Sequence, residues 1–178
     1  MSNNSLYRTA GWCALLTALL TVVVFVIFTV APTSSLTLIL GVVSLLVMTL
    51  VFYALYVAHR SESAGLSLAG LILWIVAGVA NIASLANPTN NALYAVSTMV
   101  FAVPILIFGF LAYRSPKMPR GLAVVALLTG VVWGLAGAVS FNGPTDIAMA
   151  ANLAATVFWL VWLVWLWRVF SSGKLAAA

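Results

Sequence analysis

Six long apolar runs, separated by short polar connections, divide this sequence from one end to the other. They cover residues 9–30, 36–58, 65–85, 92–112, 122–141 and 147–170. A helix needs about 20 apolar residues to cross the hydrocarbon core of a bilayer, and each run has that length. As open strands these runs would leave backbone groups unsatisfied in lipid, and barrel strands alternate polar with apolar residues. The pattern therefore predicts an all-α integral membrane protein with six transmembrane helices.

The polar connections recur at fixed intervals along the chain. A Pro-Thr turn follows every first run of a pair at a spacing of 56 residues (88 − 32 and 144 − 88), and the prolines are Pro32, Pro88 and Pro144. An arginine closes every second run at a spacing of 54 residues (114 − 60 and 168 − 114), at Arg60, Arg114 and Arg168. Self-similarity at a fixed period indicates repeated structural units. We therefore expect three tandem two-helix hairpins in a pseudo-threefold bundle, covering about residues 8–60, 61–114 and 120–168.

The repeats leave a single transmembrane domain and a short tail. The domain is expected to span residues 1–172, with no room for a separate soluble domain. The last six residues, 173–178, end in Lys-Leu-Ala-Ala-Ala, which resembles a remnant of an expression-vector cloning site. This tail is therefore expected to lie outside the transmembrane domain.

The positive charges all fall on one side of the predicted bundle. With six crossings, both termini and the connections after the second and fourth helices share a face, and they carry all seven Lys and Arg residues. This positive-inside pattern predicts cytoplasmic N and C termini. The chain is 65% hydrophobic and 5% charged, so the expected partner is the lipid bilayer of a plasma membrane of the bacterial inner-membrane type. A nucleic acid partner is not expected.

The apolar runs contain no Asp, Glu, His or Lys, which are the residues that usually mark function inside a membrane. Glu62 and Asp146 lie in connections, and the lone histidine and lone cysteine form no metal-binding cluster. We therefore expect no metal and no cofactor, and no assembled catalytic group inside the spans. His59 and Glu62 are the one acid/base pair, and the simplest interpretation is a solvated pair at the membrane interface.

Uncharged polar residues are the remaining candidates for a binding site. The period of 54 places Ser44, Thr98 and Asn152 at equivalent positions in the even-numbered helices, where they would form a ring if these helices face the axis. Trp159 lies two turns below Asn152 and would belong to the wall, and Asn81 in the third helix is a further candidate. An apolar pocket with a few orienting polar groups is typical of a small-molecule site. The alternative is that hydroxyls bond their own helices and amides join neighbouring ones.

Small residues recur every four positions in the fifth helix. They are Ala126, Gly130, Gly134 and Ala138. Such a small-residue ladder lets another helix backbone approach closely. It predicts either packing within the monomer or a homo-oligomer face.

Three hypotheses about function are compatible with these features. The first is a non-catalytic protein that binds, and in one version transports, a small neutral or lipophilic molecule. The second is an accessory, assembly or regulatory subunit that packs against partner membrane proteins. The third is a membrane-embedded enzyme, for which His59 and Glu62 would be the acid/base pair. We favour the first because the predicted interior offers aromatic and hydroxyl groups without charge.

Overall fold

Six α-helices make up almost all of the chain in the computed structural model, which describes residues 3–31, 34–173 and 175. They are α1 (Asn3–Val30), α2 (Ser35–His59), α3 (Ala64–Ala86), α4 (Asn91–Arg114), α5 (Arg120–Asn142) and α6 (Thr145–Ser171). All six are long and apolar enough to cross a membrane, which confirms the predicted helical class and the number of spans. Leu175, in the tail that follows the predicted domain, is 7% exposed and packs in the hydrophobic core.

Polar side chains fix the starts of two helices at the end of the bundle that carries the Pro-Thr turns. The Ser34 hydroxyl accepts a hydrogen bond of 3.3 Å from the Leu36 amide and caps α2. The Asn90 side chain accepts one of 2.9 Å from the Leu93 amide and caps α4. Such caps satisfy backbone N–H groups that have no partner inside the helix. In the first Pro-Thr turn, residues 32 and 33 lie outside the described residues.

The six helices pack in chain order and form a closed ring. Each helix packs beside the next one along the chain, and α6 packs beside α1. Because the connections are short, neighbouring helices are antiparallel. The start of α1, the α2–α3 and α4–α5 connections and the end of α6 therefore lie at one end. We call it the basic end, because every Lys and Arg of the described residues lies there.

Side chains from α2, α4 and α6 meet at the centre of the ring. The Phe52 ring lies 5.5 Å from that of Phe108 and 6.1 Å from that of Trp162, and all three side chains are buried. The outer surface is apolar as well, since Leu19 and Val79 are more than half exposed. An apolar surface of this kind suits lipid rather than water.

Close packing between α4 and α5 uses the first two residues of the small-residue ladder. Ala126 is 1% exposed, and a Cβ atom placed on the facing Gly109 would lie 3.1 Å from the Ala126 Cβ. A Cβ on Gly130 would lie 2.6 Å from Leu106 Cγ. These residues therefore pack inside the monomer.

The second half of the ladder leaves this interface. Gly134 is half-buried, and a Cβ there would meet only Ala102, at the ordinary contact distance of 3.8 Å. Ala138 is exposed. The tight contact continues instead at Gly137, where a Cβ would come within 2.9 Å of the Ala95 carbonyl oxygen.

Candidate functional site

Aromatic rings form a continuous series through the middle of the bundle, which we call the aromatic column. Neighbouring ring centroids are 4.0–6.1 Å apart along the series Trp74, Phe52, Trp162, Trp159, Phe101 and Trp133. The Phe52 and Trp74 rings are closely stacked at 4.0 Å, and the other spacings are normal for paired aromatic side chains. Every helix except α1 contributes to the column, so it fills the interior that the closed ring creates.

Two indole N–H groups of the aromatic column are satisfied by threonine hydroxyls of neighbouring helices. Trp74 Nε1 donates to Thr49 Oγ1 at 3.1 Å, and Trp159 Nε1 donates to Thr21 Oγ1 at 3.3 Å. The Nε1 atom of Trp133 is buried and has no hydrogen-bond partner among the described residues. An unpaired N–H is costly where no water is present. Trp133 therefore offers an unused donor at the end of the column.

Two members of the predicted polar ring, Thr98 and Asn152, are hydrogen-bonded within the protein. Thr98 is buried, and its hydroxyl donates to the Tyr94 carbonyl at 2.8 Å. The Asn152 oxygen accepts from the Tyr94 hydroxyl at 2.8 Å. The Asn152 amide nitrogen donates to Ser140 Oγ at 3.1 Å and to the Ala148 carbonyl at 2.8 Å. Tyr94, Asn152 and Ser140 thus join α4, α6 and α5 to one another, whereas Thr98 bonds its own helix.

The other predicted site residues take no part in this hydrogen-bond network. Ser44 is half-buried on α2, and Asn81 is half-buried on α3. Trp159 is 4% exposed and is a member of the aromatic column. Sequence reasoning missed Trp133. The available signal was a single bulky residue set between Gly130 and Gly134 in the small-residue ladder.

A hydrogen-bonded cluster joins two connections at the basic end. The Ser115 hydroxyl donates to Glu62 Oε1 at 2.6 Å, and His59 Nδ1 lies 3.1 Å from Glu62 Oε2. Lys117 Nζ is 3.4 Å from the Ser61 hydroxyl. The expectation of a solvated His59–Glu62 pair is wrong for the imidazole, because the His59 side chain is 0% exposed. Ser115, which the sequence did not point to, completes the cluster.

The charge on Glu62 is favoured by this cluster. Partial burial raises the pKa of the Glu62 carboxyl, but the hydrogen bonds from Ser115 and His59 outweigh it, so the pKa lies below its usual value. With the His59 Nδ1 proton donated to this carboxylate, Nε2 is left as an acceptor, and it is buried without a partner among the described residues. The Ser115 hydroxyl bonds the carboxylate rather than the imidazole. A serine nucleophile is activated when its hydroxyl donates to the imidazole and the carboxylate orients that imidazole, and this arrangement is not formed here.

These six helices of spanning length define a multi-pass membrane protein. Comparisons with protein-family models, with curated proteins and with solved structures found no match.

Proposed function

We propose that this protein binds a small neutral, lipophilic molecule within the bilayer and performs no catalysis there. The observation that carries the proposal is the buried Nε1 of Trp133, which has no acceptor within the described residues. The Phe101 ring lies 5.5 Å from that of Trp133 and supplies an apolar contact beside the donor. A ligand with one acceptor oxygen and an apolar body would satisfy both groups.

The surroundings of Trp133 favour an uncharged ligand. The neighbouring members of the aromatic column, Phe101 and Trp159, are apolar apart from one indole N–H that Thr21 already accepts. Bringing a charge into such surroundings would require stripping its water without a counter-charge. Trp133 is itself half-buried, so the ligand is expected to reach it sideways from the lipid. A role in transport would require this bound molecule to be released at the other side of the membrane.

Ligand retention tests this proposal. Protein extracted in a mild neutral detergent is analysed by native mass spectrometry. The small molecules that it releases into organic solvent are identified by their mass. Trp133→Phe keeps the ring but removes the donor, and Trp12→Phe makes the same change at a Trp that is 55% exposed. Losing a hydrogen bond worth about 1 kcal/mol should lower retention about fivefold in the first variant and leave it unchanged in the second. Equal retention in both variants, or no retained molecule in the unaltered protein, would overturn the proposal.

A control separates this site from the predicted polar ring. Asn152→Leu removes bonds to Tyr94 and Ser140, so the variant should unfold at a lower temperature. Because these groups are already bonded within the protein, it should still retain the molecule. If Asn152→Leu loses the molecule as fully as Trp133→Phe while remaining folded, the ligand lies at the predicted ring instead.

A second candidate function, an accessory or assembly subunit, is favoured by Asn81. Its half-buried side chain makes no hydrogen bond within the described residues. A polar amide of this kind stabilises contacts between membrane helices, so α3 would be the face that meets a second copy or a partner protein. Asn81→Leu should then reduce the dimer or the co-purifying partner on native mass spectrometry. A sample that holds neither dimer nor partner would exclude this function.

We infer further that the chain consists of three tandem hairpins related by a pseudo-threefold axis. The support is that residues 54 positions apart in α2, α4 and α6 are buried together. The equivalent sets that are buried include Met48, Ala102 and Thr156; Val51, Ile105 and Trp159; and Ala54, Phe108 and Trp162. The charge at the basic end supports cytoplasmic termini in a plasma membrane of the bacterial inner-membrane type.

A further inference from the structure

An open apolar groove lies on the lipid-facing side of α6, in the half nearer to the basic end. It has a volume of about 480 Å³. Its lining residues are Leu160, Val161, Val164, Trp165 and Arg168. Val161 and Val164 are exposed along its length, and Arg168 lies at the end of the groove nearest to the last turn of α6. The groove therefore combines an apolar floor with one cation.

Packing against α5 fixes the Trp165 side of the groove. A Cβ atom on Gly121, in the first turn of α5, would lie 2.6 Å from Trp165 Cη2. The absence of a side chain there lets the indole lie directly on α5. The groove wall is thus set by the α5–α6 contact and not by a freely moving side chain.

The Arg168 guanidinium forms no ion pair within the part of the chain that the structure describes. The one salt bridge within the described residues joins His59 and Glu62. Asp146 lies in the first turn of α6, at the opposite end of the same helix from Arg168. At the depth of Arg168 the anions that a membrane supplies are lipid headgroups, and guanidinium groups bind phosphate with two parallel hydrogen bonds.

We propose that this groove binds one anionic phospholipid from the leaflet at the basic end. The phosphate contacts Arg168, and an acyl chain follows Val164 and Val161 toward Leu160. Trp165 lies between these two parts, at the level where an indole is favoured in a membrane. Phosphatidylglycerol is preferred over phosphatidylcholine, because the choline ammonium offsets the phosphate charge. This site is separate from the neutral ligand proposed at Trp133.

Lipid titration of the full chain tests the site. The delipidated protein in a neutral detergent is mixed with phosphatidylglycerol or phosphatidylcholine of identical acyl chains, and bound lipid is counted by native mass spectrometry. Arg168→Gln should lower phosphatidylglycerol binding about fivefold, which corresponds to the loss of one interfacial cation. The matched control is Arg60→Gln, at an exposed arginine of the basic end that lies in the α2–α3 connection. It should bind phosphatidylglycerol like the unaltered protein.

A second variant and a soluble competitor test the apolar part. Val164→Trp fills the groove at a side chain that is 40% exposed, and it should reduce binding of both lipids without affecting folding. Soluble glycerol phosphate at the lipid concentration should not compete, because it lacks the acyl chain. Equal binding of the two lipids, equal losses in Arg168→Gln and Arg60→Gln, or full competition by glycerol phosphate would each overturn the proposal. Trp133→Phe should leave phosphatidylglycerol binding unchanged, and a loss there would contradict two separate sites.

Discussion

Some polar side chains inside the bundle are hydrogen-bonded to another helix, and others keep a buried atom without a partner in the described part of the chain. Thr21 and Thr49 accept indole protons, and Asn152 makes three hydrogen bonds. Trp133 Nε1 and His59 Nε2 stay unpaired within the described residues. The sequence could place Asn152 at a depth in the membrane. It could not identify Tyr94 as its partner, because that contact depends on how α4 and α6 are rotated against each other.

Glu62→Gln should destabilise the protein at neutral pH. The change removes the charge that Ser115 and His59 stabilise by hydrogen bonding. A hydrogen bond to a charged group stabilises a protein more than a hydrogen bond between neutral groups, but the partial exposure of Glu62 reduces this gain. We therefore expect the free energy of unfolding to fall by about 1 kcal/mol. Thermal unfolding in detergent at pH 7 measures it. Ser171→Ala, which alters an exposed hydroxyl of the basic end, should leave the unfolding temperature unchanged.

The unfolding temperatures of the unaltered protein and of Glu62→Gln should approach each other at low pH. The Glu62 carboxyl has a pKa that is lower in the folded than in the unfolded state, so its contribution is present above the unfolded pKa of about 4.3 and is lost as pH falls through the folded pKa. The difference in unfolding temperature should therefore shrink as the pH falls below about 4.5. A difference that stays constant down to pH 3 would show that Glu62 acts through packing and not through its charge.

Individual helices show why a spacing of four residues is an incomplete guide to packing. An α-helix turns about 100° per residue, so each four-residue step moves a side chain about 40° around the axis. Ala138 has drifted about 120° from Ala126 and is exposed. Gly137, eleven residues from Ala126, lies within about 20° of it and faces α4. The four-residue ladder therefore follows the α4 contact at Ala126 and Gly130 and has left it at Ala138.

Alanine substitutions at two glycines of α5 test this helix geometry. At Gly137 a new Cβ would be 2.9 Å from both the Ala95 carbonyl oxygen and the Met99 amide nitrogen, so the helices must separate. We expect Gly137→Ala to destabilise the protein by about 1–3 kcal/mol. Gly134→Ala should be neutral or stabilising by up to about 1 kcal/mol, because alanine favours the helix and has room there. Thermal unfolding in detergent gives both values, and equal losses would contradict the packing described for α4 and α5.

At the scale of the whole molecule, the number, class and approximate limits of the helices could be predicted from apolar run length alone. The closure of the ring could not. The Trp12 and Trp167 rings lie 5.9 Å apart across the α1–α6 contact, yet they are at opposite ends of the sequence. No local pattern indicates such a pairing, because it results from the packing of all six helices together. The aromatic column could not be predicted for the same reason.

The proposed topology predicts opposite labelling at the two ends. In a Cys13→Ala background, Thr89→Cys places a thiol in the α3–α4 connection, at an exposed position that leaves the Asn90 cap intact. Gly65→Cys places one at the basic end, where a new Cβ meets nothing within 4 Å. A membrane-impermeant maleimide added to intact cells should label the first and spare the second. The reverse result would place the termini outside the cytoplasm.

The binding proposal is tested most directly by the indole N–H signal of Trp133. Protein labelled with ¹⁵N-tryptophan should give seven indole cross-peaks, one for each Trp, and Trp133→Phe identifies the relevant one. Removal of the retained molecule with organic solvent, followed by refolding in detergent, should shift the Trp133 indole proton upfield as it loses its acceptor. The Trp74 and Trp159 signals should not move, because their acceptors are Thr49 and Thr21. A Trp133 signal that is identical before and after extraction would contradict the proposal.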